Sequence, residues 1–292
     1  MVDGQSYVER PPIPALAGVV SSVWIQQVGP DAPPYVQRNI PSGGMELVCR
    51  SGREPRVVGP LTGALVEVLE PGTRVVGLRF APGGAARVLG LPASELVDLA
   101  VDVQDVWGTT GSGRSASAAP SRTGFALADL ADPDASPERL LADVQLVVAA
   151  RLAEAAAPDP LVAEAVRLLR WSTDAVASLT SSLHISERQL RRRFQTATGL
   201  APKPLHRVLR FQRFHALAQH AIASGAAPAE DGIARLAAEA GYADQPHLNR
   251  ECLRLTGASP GALLGEAQDH CGCGHDHAAS FVPVLRARPM LV

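Results

Sequence analysis

The chain predicts an α+β protein: a β-rich N-terminal domain, then an all-α C-terminal domain with two helix-turn-helix modules joined by a linker helix. Three observations predict this. Short apolar runs punctuated by Gly and Pro fill residues 1–107. A Gly/Ser-rich stretch occupies residues 108–124. Beyond residue 160, one helical pattern occurs twice at a constant offset of 58 residues. At 292 residues, two domains are the expectation.

In chain order, Val19–Val28, Met45–Cys49, Val57-Val58, Ala64–Leu69 and Arg74–Phe80 read as strands, the last most clearly. Gly83-Gly84 opens a short helix reaching Leu89, and Ser94-Glu95-Leu96 lies in a turn-rich piece ending near Trp107-Gly108. Gly108 to Gly124, GTTGSGRSASAAPSRTG, has too little apolar surface to pack and reads as a flexible linker. Residues 125–159 hold a connecting amphipathic helix. Ser136-Pro137-Glu138 starts it, and Leu140, Leu141, Val144, Leu146, Val147, Val148 and Leu152 are its apolar positions. That stripe serves either a dimer or packing within one chain. Residues 160–265 form the helical domain, with Trp171 as a core residue, and 266–292 form a tail.

The second module is the plainer of the two. Ile233, Leu236, Ala237 and Ala240 sit at i, i+3, i+4 and i+7, one apolar helix face. Gly241 ends that helix, Asp244 caps the next, and Pro246 falls in its first turn. Leu248 and Cys252 form the buried side, which leaves Gln245, His247, Asn249 and Arg250 outward. Thr256-Gly257 and Pro260 stop it. In the first module Ser186, Leu190, Arg192, Phe194, Thr198, Gly199 and Pro202 stand 58 residues earlier, and Val176, Leu179 and Leu183 answer the scaffold helix at an offset of 57. His184 stands where Gly241 does, and His tolerates positive φ better than most residues. Ser186 with Gln189 is a capping-box pattern. Between the modules, Pro204 to about Ser224 is apolar at helical spacing through Leu205, Val208, Leu209, Phe211, Leu217 and Ile222. About 20 helical residues span roughly 30 Å, close to the ~34 Å between successive major grooves on one DNA face. Outward Gln, Asn, His and Arg are side chains that hydrogen-bond base edges.

The pattern S-x-R-x-L-x-R-x-F…T-G-x-x-P, a helix, then I-A-x-L-A…G-Y-x-D-Q-x-H-L-x-R…T-G-x-S-P resembles the AraC/XylS family of transcription regulators, over roughly Leu161 to Leu264. Leu248 and Cys252 stand where that family often has Phe. The resemblance implies DNA contacts from Arg188, Arg191 and Arg192 in the first module and from Gln245, His247, Asn249 and Arg250 in the second. It also implies that the N-terminal part is a small cupin-like domain for sensing or dimerisation. P-S-G-G-M-E-L, V-x-G-P-x-T, G-L-R-F-x-P-G-G-A and L-P-A-S-E-L resemble a poorly characterised subfamily of such regions. The partners expected are double-stranded DNA, a small-molecule effector, a second copy in a homodimer, and RNA polymerase for an activator.

Composition and charge agree with a two-part chain. Residues 160–265 carry 13 Lys+Arg against 8 Asp+Glu; the remainder carries 14 against 21. A basic segment beside an acidic one fits a nucleic-acid-binding half and a regulatory half. No run of 18 apolar residues exists, and MVDGQSYVER does not read as a signal peptide, so a cytoplasmic protein is expected. The first histidine is His184, so neither a His-based metal site nor Ser–His or Cys–His catalysis has support in the N-terminal part. No enzymatic activity and no required cofactor are expected. Two readings are open for Glu46, Cys49 and Arg79: they face a pocket, where Arg79 could pair a ligand carboxylate, or, the preferred reading, Glu46 and Arg79 are strand residues on a solvent face and Cys49 is a small core residue. In the tail, His270, Cys271, Cys273, His275 and His277 fall within eight residues, donors suited to zinc or another transition metal. The C-x-C spacing is not that of a structural zinc knuckle, so a solvated tail is preferred. A metal-responsive regulator or metal-handling protein using that tail is the alternative function.

Overall fold

The computed structural model describes residues 4–108, 130–132, 134–171, 177–224 and 230–270. Eight strands build the N-terminal part: β1 (Gln5–Arg10), β2 (Val20–Val28), β3 (Tyr35–Asn39), β4 (Glu46–Arg50), β5 (Arg56–Val58), β6 (Leu65–Leu69), β7 (Arg74–Phe80) and β8 (Ala100–Asp102). Six form an antiparallel sheet in the order β1-β2-β7-β4-β5-β8, and β3 pairs with β6 in a separate ribbon. The expected strands are present. β1, β3 and β8 are additional; their sequences, QSYVER, YVQRN and AVD, lack an apolar run, and pairing with neighbours defines them.

Period-two alternation splits the sheet into two faces. Val23, Ile25, Leu47, Cys49, Val57, Val76, Leu78 and Phe80 enter the main core. Helix α1 (Ala85–Leu89) and the short α2 (Val103–Gly108) add Val88, Leu89, Val106 and Trp107 to it. Helix α3 (Pro137–Glu154) closes that face with Leu140, Leu141, Val144, Val147 and Val148. Ser136 caps α3 by accepting from the Arg139 N–H at 3.2 Å. The apolar stripe of α3 is therefore buried within its own chain; Leu146 alone points away, 43% exposed. The expected linker, apart from Gly108 at the end of α2, lies outside the described residues.

The opposite face of the sheet presents Tyr7, Glu9, Trp24, Gln26, Glu46, Val48, Val75 and Arg79. Trp24 pairs with Gly77 across β2 and β7, and its indole lies over the glycine. A Cβ at residue 77 would fall 2.1 Å from the ring atoms. Glycine is required there by a close approach rather than by backbone conformation.

The C-terminal part contains α4 (Pro160–Trp171), α5 (Ala177–Leu183), α6 (Glu187–Thr198), α7 (Pro202–Ala223), α8 (Glu230–Ala240), α9 (Gln245–Thr256) and α10 (Pro260–His270). The side chain of Trp171 and the whole of Val176 lie outside the described residues. The predicted local chemistry is present. His184 has φ 52° where Gly241 has 91°. Ser186 and Gln189 form a reciprocal capping box, and Asp244 accepts from the His247 N–H at 2.6 Å. Leu248 and Cys252 are fully buried, so the smaller residues still complete a packed second module.

Helix α7 is a core element of both modules. Leu205 packs with Leu190 and Phe194 of the first, while Val208, Phe211, Phe214 and Ala218 pack with Leu236, Leu248 and Leu255 of the second. An ion pair holds each of α6 and α9 at the same repeat position. In α6, Arg193 donates to Asp159 Oδ2 at 2.8 Å. In α9, 58 residues on, Glu251 accepts two bonds from Arg207 of α7, that from Nε at 2.7 Å, and one from Arg254 at 3.0 Å. Burial alone would raise the Glu251 pKa, but the two arginines outweigh it and hold the carboxyl at about 2.

Two outcomes follow from this packing. Gly77→Ala should destabilise the fold by about 1–3 kcal/mol through overpacking against Trp24, read as a lower midpoint in thermal or urea unfolding. The stability supplied by ionised Glu251 is complete above the ordinary carboxylate value of 4.5 and disappears as pH falls toward 2. The melting-temperature gap between the native chain and Glu251→Gln should therefore be widest near neutrality and close below pH 4.5; a gap independent of pH would contradict the assignment.

Candidate nucleic-acid interface and interdomain cavity

Capping fixes where α6 and α9 begin, and the 3.6-residue period fixes what they show outward. On α6, Arg188, Arg191 and Arg192 are exposed, at i, i+3 and i+4. No hydrogen bond or ion pair with another described side chain holds their guanidinium groups. Arg193, next in sequence, is drawn to Asp159 instead. On α9, Asn249 and Arg250 are exposed, while Gln245 and His247 are half-buried. The His247 ring meets Tyr242 edge-on, with centroids 5.2 Å apart and planes at 87°. Arg210 lies over the Tyr242 ring, 4.7 Å from its centroid. His247 is thus a packed side chain at the edge of the outward face, not a free one.

The repeat identifies one position that reading the second module alone misses. The face Arg188, Arg191, Arg192, Gln195 maps, 58 residues on, to Pro246, Asn249, Arg250 and Leu253. Leu253 is 59% exposed, an apolar side chain in the middle of this polar face. The offset is the signal that finds it.

Where the two halves meet, a cavity of about 500 Å³ lies over the polar face of the sheet. Ribbon β3–β6 covers one side, and Gln212, His215 and Gln219 of α7 line another. This corrects the expectation for Glu46 and Arg79. The alternation does turn them away from the core, but the face they share is roofed by other elements, which leaves their side chains only 22% and 23% exposed. Arg79 donates from Nε to Glu46 Oε1 at 2.7 Å and from Nη1 to Glu9 Oε1 at 2.8 Å. Glu9 is 3% exposed and also accepts from the Tyr7 hydroxyl at 2.5 Å. Burial works against the charge on Arg79, and Glu46, Tyr7 and Glu9 together outweigh it, raising its pKa. Cys49 lies on the core face as expected, and burial pushes its thiol up to about 12, so it stays protonated near neutrality. Glu9 and Tyr7 lie on β1, which carries no apolar run, so no periodic signal points to them.

Contacts also join the halves directly. Arg38 of β3 donates to the Thr256 carbonyl at 2.9 Å, and Gln212 of α7 donates to the Pro41 carbonyl at 2.6 Å. Gly199 sits against Pro60, Ala93 and Val97; a Cβ there would come within 2.5 Å of Pro60.

Of the tail residues, His270 ends α10, and its side chain, with Cys271, Cys273, His275 and His277, lies outside the described residues. Among the described residues no cluster of three or more His, Cys, Asp and Glu could hold a metal ion. No helix among them is long and apolar enough to cross a membrane.

Two family models match the chain: a domain of unknown function, DUF6597, over residues 8–102, and a helix-turn-helix domain over residues 179–266. No curated protein matches. Among solved structures, the 1.65 Å structure of ToxT from Vibrio cholerae is similar at 10% identity and TM-score 0.45, covering 83% of this chain and 97% of that one. ToxT bound to (E)-4-(8-methylnaphthalen-1-yl)but-3-enoic acid is similar at 9% identity and TM-score 0.44, covering 89% and 97%. With two capped modules about one shared helix, and the family match falling on them, the chain carries an AraC-type helix-turn-helix domain, the DNA-binding half of a transcription regulator, behind a DUF6597 domain.

Proposed function

We propose that the chain binds double-stranded DNA sequence-specifically, with α6 and α9 entering successive major grooves, and that a small molecule in the interdomain cavity modulates this binding. The observation that carries the reading is the duplicated outward face on a shared helix. α7 packs into the cores of both modules, so one rigid element sets the spacing between the recognition helices. Its 22 residues correspond to about 33 Å, close to one helical turn of DNA.

The roles divide by chemistry. Arg188, Arg191, Arg192 and Arg250 supply the charge and the forked donors that bind phosphates and guanine edges. Asn249 matches adenine, and Leu253 offers the apolar contact that a thymine methyl accepts. Gln245 and His247, half-buried at the start of α9, serve best as phosphate contacts and register markers. We assign residues 160–265 to DNA reading and the strands with α3 to ligand sensing.

A ligand acts here by binding one arrangement of the halves better than another. Because Arg38 and Gln212 bridge the halves, a molecule between them has a physical means of favouring one arrangement.

The test is an anisotropy titration of the full chain against DNA from upstream of its own coding sequence, at two salt concentrations. Affinity should fall steeply with salt, as phosphate neutralisation requires. Arg192→Ala and Arg250→Ala should each weaken specific binding by about 1–3 kcal/mol, roughly tenfold to a hundredfold, with unchanged melting temperature. Unchanged affinity for both would remove α6 and α9 from the interface. Leu253→Ala should relax the preference at one base pair and leave the salt slope as it is; a reduced slope would mean that the change disturbs phosphate contacts instead.

A further inference from the structure

We propose that the interdomain cavity selects a small organic cation with an apolar body, and not a carboxylate. The proposal rests on the ligand-modulated reading above and specifies the chemistry of its ligand.

The floor of the cavity carries two carboxylates for one guanidinium. Arg79 donates to Glu9 Oε1 and to Glu46 Oε1. Arg79 is thereby held between carboxylates, and the trio keeps a formal charge of −1. Burial raises the Tyr7 phenol well above its ordinary value, with the neighbouring glutamates adding to it and Arg79 opposing, so Tyr7 stays a neutral donor to Glu9. The Glu46 side chain is 22% exposed toward the cavity, and its Oε2 takes no hydrogen bond from the described residues. An ammonium group placed there gains a charge-assisted hydrogen bond and neutralises the floor.

Three of the other four arginines around the cavity have partners of their own. Arg50 pairs with Glu67 at 3.2 Å and Arg56 with Asp102 at 3.4 Å. Arg38 donates to the Thr256 carbonyl, and Arg53 adjoins Glu54, both exposed.

The walls suit the rest of such a molecule. Tyr7 and Trp24 stack with centroids 5.7 Å apart, and Tyr35 lines the same space. Aromatic faces bind both an apolar body and a nearby cation. Trp24 is 7% exposed, and its ring packs against Tyr7 and Gly77. A volume of about 500 Å³ fits a molecule of this class. His215 and Gln219 of α7 also line the cavity, so an occupant touches the sheet and the helix that spaces the recognition helices.

A matched pair of probes tests the proposal: tyramine and 3-(4-hydroxyphenyl)propionate, alike except for the charged end. Each is titrated into the full chain without DNA at pH 7, by calorimetry and by thermal shift. Tyramine should bind at least about tenfold more tightly than the propionate, the worth of roughly one charged hydrogen bond. Glu46→Gln should remove about that factor from tyramine binding. Val48→Phe, which fills the cavity beside Glu46 without touching its charge, should abolish binding with the fold intact. If Glu46→Gln does not fold, the probe pair and Val48→Phe decide the matter. Equal or tighter binding of the propionate, tyramine affinity unchanged in either folded variant, or no saturation by tyramine below about 10 mM, would overturn the proposal. None of these outcomes touches the DNA titration, so the failure of the ligand chemistry and of the regulator reading are separable.

Discussion

Both recognition helices end in a threonine-glycine corner, and the two halves of the protein meet at these corners. In each, the threonine hydroxyl accepts from the amide two residues on, Leu200 or Ala258, and lies within hydrogen-bond distance of carbonyls on both sides of the turn. The following glycine takes positive φ, 76° at Gly199 and 74° at Gly257. This arrangement stops the helix, satisfies groups that would otherwise be orphaned, and sends the chain back into the core. The N-terminal domain then packs on the product. Pro60, Ala93 and Val97 lie on Gly199, and Arg38 bonds the Thr256 carbonyl. A basic side chain at the carbonyl end of a helix is favoured by the helix dipole as well as by the hydrogen bond.

This geometry gives α7 two functions. One side unites the modules, through Leu205 in the first and through Phe211 and Phe214 in the second. The side carrying Gln212, His215 and Gln219 faces the sheet across the cavity. On the proposed reading, position on DNA and occupancy of the cavity share one rigid element. Coupling between them needs no long chain of intermediates, only a difference in ligand affinity between two placements of that helix.

The second module was legible in detail because its signals are local. A cap, a proline in the first turn, an apolar stripe and a glycine stop each act within a few residues, and the offset of 58 repeats most of them in the first module. Even the positive φ of His184 follows from its alignment with Gly241. The cavity was not legible in the same way. Glu9, Glu46 and Arg79 are separated by up to 70 residues and meet only because β1, β2, β7 and β4 lie side by side. Alternation correctly turned Glu46 and Arg79 away from the core, but period two does not say whether the other face meets water or another layer.

By itself the sequence determined the α+β order of the chain, the two capped modules, the linker helix and the outward arginines of α6, because hydrogen bonding and periodicity along a single segment dictate each of these. Only the tertiary structure decided that Arg193 is tied to Asp159 while its neighbours are not, that His247 packs on Tyr242, and that α3 is buried on its own sheet. It likewise decided that the polar face of that sheet is roofed by a ribbon and a helix from the other half. These depend on contacts between residues far apart in the chain, and such contacts leave no periodic trace in either partner.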